Sequence, residues 1–410
     1  AVYDEAVFVA GPYIWLRLCN LVGAVAILFC LAARKGHHRR WWLAGGLATL
    51  IWLSVGLAGP SLGFVNSTAR LEAELSGQLQ TPNFTLRFKP GGKAARWAPL
   101  MAVDMEFRGQ QIVDFYGLPE PSKRVTAFLY ESPQHKASLM GAGRTSIAKP
   151  WLGQIHIHAH GVGGRLLHHE LAHALLADAS KSFVGMPTNA LGIPRPGILE
   201  GAAVAVERGS RTLTTHQWAR AMRDVEMLPD MPSMLEELAF WTKSSSRAYT
   251  ACGSFVRYLV ESRGPAAFLV LYGGGGFVEA YEEPLDELLE GWHRYLDSLP
   301  LSADDLELAR FAFSRPPVFQ RQCPYAGGRC FSRARMAAAL GETQEVAGLA
   351  TQSLRITDVD LGLGRRVVRL LLAVGATDET LALLEIMRRR HPDSGVVMTQ
   401  SLKLVQGDVA

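Results

Sequence analysis

Two long apolar stretches near the N-terminus constrain the fold of this chain more than any other feature. Residues 11–33 are apolar apart from Arg17 and Asn20, and residues 41–63 carry no charge. About 20 consecutive apolar residues are enough for a helix to cross a bilayer. The sequence therefore predicts a membrane anchor of two transmembrane helices over residues 1–63. A pair of buried core helices is the alternative interpretation.

The segment between the two apolar stretches is basic and sets the expected orientation. It contains Arg34, Lys35, Arg39 and Arg40, and short basic loops remain on the cytoplasmic side of a membrane. We therefore expect the rest of the chain to lie outside, with the lipid bilayer as a partner. The net charge of +4 is small and scattered, which gives no support for a nucleic-acid partner.

The remaining residues predict an α+β protein with a small sheet followed by a helical half. Alternating apolar residues indicate strands at 83–88, 124–130 and 153–161, and helices are expected at 64–80, at 94–117 and over most of 165–310. We expect the domains to be an anchor (1–63), a catalytic domain (64–310) and a helical C-terminal region (311–410). The last region resembles tetratricopeptide helix hairpins and is a candidate surface for a protein partner.

Cysteine pairing is one further expectation. Cys323 and Cys330 flank the segment "PYAGGR", whose proline and glycines predict a loop. Outside the membrane, two cysteines at this spacing predict a disulfide, and two free thiols are the alternative.

The stretch "LLHHELAHALL", residues 166–176, contains the strongest chemical signal. His169-Glu170-Leu171-Ala172-His173 has the form H-E-x-x-H. On a helix, positions i and i+4 share a face, so both histidines can reach one metal ion. Glu170 directly follows the first histidine and can accept a proton from a bound water. The alternative is an amphipathic helix with solvated histidines, but the apolar flanks make an unpaired His-Glu-His group costly there.

A catalytic zinc site needs a third protein ligand. The glycine and histidine of the longer H-E-x-x-H-x-x-G-x-x-H pattern are missing, because Leu176 and Ala179 occupy those places. Glu200, in "PRPGILEGAAVAVE", is the candidate, because Pro196 can start a helix that places Glu200 in its first turns. The small residues Gly201, Ala202 and Ala203 are expected to let Glu200 pack close to the helix of the two histidines. Glu207 lies two turns further on and is a candidate to orient a ligand histidine; a surface carboxylate is its alternative role.

With these residues in place, the chain resembles the gluzincin zinc metallopeptidases over roughly residues 83–298. Within that group it looks most like the bacterial peptidase MA-like proteins, which are related to thermolysin and aminopeptidase N. The resemblance implies one Zn²⁺ held by His169, His173 and Glu200. It implies peptide-bond hydrolysis by a metal-activated water, with Glu170 as general base.

The resemblance also concerns Tyr249. Several gluzincins use a tyrosine to donate to the oxyanion of the tetrahedral intermediate, and Tyr249 resembles such a residue; a core tyrosine is the alternative. The basic segment is not part of the family's pattern. Together with the apolar stretches it predicts a multi-pass protein of the bacterial inner (plasma) membrane, with its catalytic domain on the periplasmic or extracellular side. The implied partner is a peptide or protein substrate.

Four other histidines lie close to the motif in the sequence. His156, His158 and His160 alternate along the third predicted strand, so they share one face. A second metal site is one interpretation, and the exposed face of an edge strand is the one we favour. By analogy with related peptidases, this strand is expected to pair with the substrate backbone. His168 points roughly 100° away from His169 around the helix and is not expected to bind metal.

Three alternatives to the anchored peptidase remain from sequence. One is a catalytically inactive gluzincin-fold scaffold that binds a protein partner in the envelope through its C-terminal helices. Another is an intramembrane protease, which the long distance between the apolar stretches and the motif disfavours. The third is a membrane-bound protease that faces the cytoplasm, which the basic segment disfavours.

Overall fold

Helices make up most of the protein, and a small sheet lies in its N-terminal half. The computed structural model describes residues 11–36, 39–121, 123–159, 165–189, 191–207, 213–236, 238–242, 245–314, 324–357, 359–391 and 397. The α-helices in these ranges are α1 (Gly11–Gly36), α2 (Arg39–Leu57), α3 (Gly59–Leu62), α4 (Thr68–Glu74), α5 (Lys93–Tyr116), α6 (Pro133–Met140), α7 (Arg165–Leu175), α8 (Pro196–Ala205), α9 (Thr215–Asp224), α10 (Met231–Glu236), α11 (Ser245–Arg263), α12 (Pro265–Tyr272), α13 (Phe277–Tyr281), α14 (Leu285–Asp297), α15 (Ala303–Phe313), α16 (Pro324–Leu340), α17 (Thr343–Ile356), α18 (Leu361–Ala373) and α19 (Thr377–Arg390). Short 3-10 turns occur at Pro150–Leu152, Leu176–Ala179 and Leu238–Thr242. The predicted α+β class is confirmed.

The sheet contains both parallel and antiparallel strands. Its strands are β1 (Gly77–Gln80), β2 (Phe84–Phe88), β3 (Val125–Tyr130), β4 (Ile147–Lys149) and β5 (Gln154–His158). They are arranged in the order β1-β2-β3-β5-β4. The central pairs β2–β3 and β3–β5 are parallel, whereas β1–β2 and β4–β5 are antiparallel. The three strands and the α5 helix expected from sequence are present with small shifts of their ends.

Both faces of the sheet are covered. Leu86, Ala127, Leu129, Ile155 and Ile157 belong to a large buried cluster that continues into the helical half of the protein. The other face packs in a smaller cluster formed by Leu71, Leu75, Phe128, Tyr130 and Leu139. Parallel strands buried on both faces are the usual arrangement in mixed α and β proteins.

Two expectations from sequence need correction here. Residues 64–80 do not form one helix, because α4 ends at Glu74 and β1 then pairs with β2. Gly77 permits that pairing, since an added Cβ would lie 2.6 Å from the Phe88 ring. The strand β5 is not at the edge of the sheet, because the unpredicted β4 lies beyond it. A three-residue strand is too short for its alternation to be detected from sequence.

The N-terminal helices α1 and α2 pack against each other along their lengths. An added Cβ at Gly45 would lie 3.1 Å from the sulfur of Cys30, so small residues allow this close approach. Of the described helices, α1 is the one long and apolar enough to cross a membrane, and 11% of its most apolar window is buried. A buried core helix would show far more burial. The second span, in α2, remains a prediction.

The C-terminal helices have a hydrophobic core of their own. The helices α16 to α19 bury a cluster that includes Phe331, Leu354, Val367, Leu371 and Met387. Neighbouring helices in the chain pack together, α16 with α17 and α18 with α19, as helix hairpins do. The expectation of a helical C-terminal region is therefore confirmed, whereas its likeness to tetratricopeptide repeats stays a prediction.

The sequence predicts a loop between Cys323 and Cys330, but the described residues of this segment are helical, so that prediction is wrong for them. Pro324 begins α16, and Cys330, a thiol, lies in its second turn. Cys323 lies outside the described residues. The Cys323–Cys330 disulfide therefore stays a prediction.

Candidate metal centre

The H-E-x-x-H residues lie on α7, which packs between the sheet and the helical half. Leu167, Leu171 and Leu175 are buried along one stripe of this helix, as their spacing predicts. That stripe fixes the rotation of α7 about its axis. As a result, His169 and His173 project together toward α8, and both are largely buried.

Three side chains converge on one point between α7 and α8. The Nε2 atom of His169 lies 3.1 Å from Oε2 of Glu200 and 3.1 Å from Nε2 of His173. The Nε2 atom of His173 lies 3.4 Å from the same Glu200 oxygen. Zinc bound tetrahedrally at 2.0–2.1 Å separates its ligand atoms by roughly 3.3 Å. These three side chains could therefore hold a metal ion.

The chemistry of the donor set supports the same conclusion. When Nδ1 of His169 donates its hydrogen to the Glu207 carboxylate, Nε2 of the same ring carries a lone pair. That lone pair faces Nε2 of His173 and a carboxylate oxygen of Glu200. Three electron-pair donors this close repel one another unless a cation or a proton lies among them. Burial lowers the pKa of His169, but hydrogen bonds to Glu200 and Glu207 raise it to about 10. Burial alone would raise the pKa of Glu200, but the histidine charges and hydrogen bonds hold it well below its usual range.

Glu207 supports the first histidine from the far side of its ring. Its Oε1 lies 3.0 Å from Nδ1 of His169, and both side chains are buried. A carboxylate in this position selects the tautomer that leaves Nε2 available, and it makes the ring a stronger ligand. The structure thus brings together the pair of residues that the sequence suggested, although Glu207 lies just beyond the last residue of α8.

We expect replacement of Glu207 by alanine to weaken zinc binding by roughly 10–100-fold, because the ring loses its fixed orientation. Glu207→Gln keeps an acceptor for Nδ1 but removes the charge, so its effect should be smaller. Competition with a fluorescent zinc chelator measures both affinities. Equal zinc affinity in wild type and Glu207→Ala would contradict the orienting role.

The position of Glu200 depends on close packing between α8 and α11. An added Cβ at Gly201 would lie 2.8 Å from the carbonyl oxygen of Cys252, and one at Gly253 would lie 2.3 Å from Val204. The Tyr116 hydroxyl also donates to the Ala202 carbonyl at 2.7 Å. The small residues after Glu200 therefore let α8 pack closely against α11, while α8 also contacts α7, the helix that carries His169 and His173.

The two residues expected to act in catalysis also border the cluster. Glu170 is buried, and its pKa is raised by burial while the charges of His173 and His169 oppose that shift. The ring of Tyr249 lies 5.9 Å from the His169 ring and 5.1 Å from the Phe240 ring, measured between centroids. The structure therefore places both side chains beside the candidate metal ligands.

The strand histidines do not form a second site among the described residues. His156 is fully buried, stacks on Phe128 with 5.1 Å between centroids, and lies 3.0 Å from the Tyr130 hydroxyl. Burial lowers its pKa to about 3. His158 contacts the carbonyl of Gly143 at 2.7 Å. The prediction that this face of the strand is exposed is therefore wrong, because α4 and α6 cover it. His160 lies outside the described residues.

One buried cation near the site was missed by sequence reasoning. The ammonium group of Lys136, on α6, donates to the carbonyls of Thr145 and His156. It thereby joins β5 to the residues that lead into β4. Its charge also opposes the rise in the pKa of Glu170 that burial causes. A single lysine in a short polar helix gives no sequence signal of such burial.

A serine, a histidine and a glutamate also meet elsewhere in the protein. The Nδ1 atom of His216 lies 2.9 Å from the Ser254 hydroxyl, and its Nε2 atom lies 3.3 Å from Glu261. Ser254 is fully buried and also accepts a hydrogen bond from the Trp292 indole at 3.1 Å. A nucleophilic serine must reach its substrate, so this network connects helices and is not a hydrolase triad.

Comparison of the chain with protein-family models, with curated proteins and with solved structures found no match. The class of protein is therefore inferred from the residues of the site and from their geometry.

Proposed function

We propose that this protein is a membrane-anchored zinc metallopeptidase of the gluzincin type. The observation that supports the proposal best is the convergence of His169, His173 and Glu200, whose ligand atoms lie 3.1–3.4 Å apart. Two histidines and a glutamate form the ligand set of catalytic zinc in several peptidases, which leaves one position open for water or substrate.

The side chains around the cluster suggest how the reaction would proceed. Zinc supplies a water of lowered pKa and a polarised carbonyl when it is bound. Glu170, next to His169 in the chain, accepts a proton from the attacking water and delivers it to the leaving amine. The Tyr249 hydroxyl is the candidate donor to the developing oxyanion. Glu207 holds the His169 ring in one orientation throughout.

The strand that pairs with the substrate is better assigned to β4 than to β5. Both sides of β5 are occupied, by β3 and by β4. β4 is the last strand on this side of the described sheet, so its outer edge can bind an extended peptide through main-chain hydrogen bonds. Lys136 stabilises the residues that precede β4 and is therefore a candidate positioning residue for the substrate.

Peptide hydrolysis that depends on zinc is the expected activity of the full-length protein. Purified in detergent, the protein should cleave members of a broad peptide library, because the site offers both a metal and a general base. The chelator dipicolinate should abolish cleavage, and added zinc should restore it. Mass spectrometry of the products measures both steps. A protein that binds zinc but cleaves nothing would favour the inactive scaffold that binds a protein partner.

We further propose that α1 and α2 anchor the protein in the bacterial inner membrane, with the catalytic domain on the periplasmic side. The low burial of α1 and the arginines and lysine around residues 34–40 support this arrangement. The proposed domain division, 1–63, 64–310 and 311–410, agrees with separate buried clusters that end at Phe313 and begin at Phe331.

Cysteine labelling in intact cells tests the orientation. In a variant whose five native cysteines are replaced by alanine, Gly36→Cys should resist a membrane-impermeant maleimide, because the basic segment holds residue 36 in the cytoplasm. Pro90→Cys, at an exposed position, should label. Both should label after permeabilisation. The reverse pattern in intact cells would place the catalytic domain in the cytoplasm.

A further inference from the structure

Three exposed apolar side chains lie near the end of the proposed membrane anchor. Trp151 and Leu152 are each 50% exposed in the 3-10 turn that precedes β5, and Phe183 is 94% exposed. We call these three residues the Trp151 patch. Large apolar side chains that remain exposed together mark a binding surface.

The loop that contains Phe183 packs against the 3-10 turn through Gly185. An added Cβ at Gly185 would lie 3.2 Å from the Cβ of Pro150, so this loop packs on the turn. The hydroxyls of Ser180 and Ser182 both donate to the Met186 carbonyl, at 2.7 and 2.6 Å. The loop is therefore closed at its base, with Phe183 at its tip.

A continuous series of contacts connects the patch to the end of the anchor. The side chain of Gln154, two residues after Leu152, donates to the Thr68 hydroxyl at 3.0 Å. Thr68 is the first residue of α4. The guanidinium group of Arg70, on the same helix, lies next to Gly63, because a Cβ added at Gly63 would lie 3.0 Å from that group. That Cβ would also lie 3.1 Å from Pro12 in the first turn of α1. The patch thus lies on the side where the chain leaves α1 and α2.

We propose that the Trp151 patch enters the interface of the bilayer that holds α1, as a second contact with lipid; this inference rests on the proposed membrane anchor. Tryptophan is enriched at the level of the lipid headgroups, where its ring is apolar and its N–H can remain hydrated. Lys181, exposed two residues before Phe183, supplies a positive charge for an anionic headgroup.

Such a contact would fix the orientation of the catalytic domain on the membrane. A single connection through residues 58–67 would leave the domain free to tilt. The 3-10 turn directly follows β4, the proposed substrate strand, so lipid contact at Trp151 would hold β4 at a constant height. The substrate class that this favours is a peptide segment close to the membrane surface.

Fluorescence quenching by lipid tests the contact in the full-length protein. The protein is reconstituted in vesicles of phosphatidylethanolamine and phosphatidylglycerol whose acyl chains carry bromine. We expect Trp151→Phe to remove a component of the tryptophan fluorescence that the brominated lipid quenches. A double variant, Leu152→Glu with Phe183→Glu, should withdraw the patch from the bilayer. In that variant the fluorescence of Trp151 should no longer be quenched by brominated lipid and should be quenched by iodide in the aqueous phase.

Two other tryptophans provide matched controls. Trp97 is 43% exposed, close to the value for Trp151, but lies on α5, which covers the opposite face of the sheet from α4. Trp97→Phe should remove a component quenched by iodide. Trp52 is 42% exposed on α2, so Trp52→Phe should remove a component quenched by lipid.

The outcomes separate this inference from the proposed anchor. If Trp52 is quenched by lipid but Trp151 is quenched by iodide, the patch faces water and the inference fails alone. If Trp151 is shielded from both quenchers, a protein surface covers it and the inference also fails. If Trp97→Phe removed as much lipid-quenched fluorescence as Trp151→Phe, the lipid contact could not be assigned to the Trp151 patch. If Trp52 is not quenched by lipid, the proposed anchor itself fails.

Discussion

Replacing Glu170 with glutamine is expected to lower peptide hydrolysis by about 10²–10⁴-fold, because a general base contributes about that much to the rate. Glutamine has nearly the same shape, so α7 should keep its packing. The proposed metal ligands His169, His173 and Glu200 are unchanged, so zinc content should stay the same. Initial rates on one peptide substrate, together with zinc analysis of the same samples, measure the effect.

Two controls make this result specific. Glu290→Gln removes the same charge at an exposed position of α14 and should leave the rate unchanged. Circular dichroism should show equal helix content in all three proteins. If Glu170→Gln retained the full rate, another group would have to accept the proton, and the assignment of Glu170 would be wrong.

Local spacing was sufficient to predict which two histidines of α7 point to the candidate metal centre. Side chains at i and i+4 share a face whatever the rest of the protein does, so His169 and His173 could be paired from five residues of sequence. In the same way, the spacing of the three leucines on α7 predicted which side of that helix is buried. Glu200 followed from a different signal, a helix start at Pro196 and the small residues after it.

Features that depend on distant neighbours were predicted less well. His156 alternates with apolar residues as an exposed side chain would, yet it is buried because α4 and α6 cover that face of the sheet. Its Nδ1 atom finds the Tyr130 hydroxyl, 26 residues away in the chain. Gly201 lies closest to Cys252 of α11, a neighbour that the sequence did not indicate. A small residue shows that something packs closely but does not show which helix it is.

Replacing His173 with alanine is expected to abolish zinc binding, because two of three ligands cannot hold the ion in a tetrahedral site. Wild type should contain about one zinc per chain. A ligand present at 100 times its dissociation constant stabilises the folded state by about 2.7 kcal/mol. Zinc should therefore raise the melting temperature of wild type and leave that of His173→Ala unchanged. Metal analysis and thermal unfolding with and without zinc measure both effects.

A neighbouring histidine provides the matched control for this variant. His168 is buried on the same helix but is not one of the converging ligands, so His168→Gln should keep the zinc-dependent shift. Comparing the metal-free proteins separates loss of zinc from loss of packing, since any cavity left by His173→Ala lowers stability without zinc as well. Zinc binding at wild-type affinity in His173→Ala would contradict the ligand assignment. Without that assignment, the proposal of a zinc peptidase could not stand, because Glu170 would have no activated water to deprotonate.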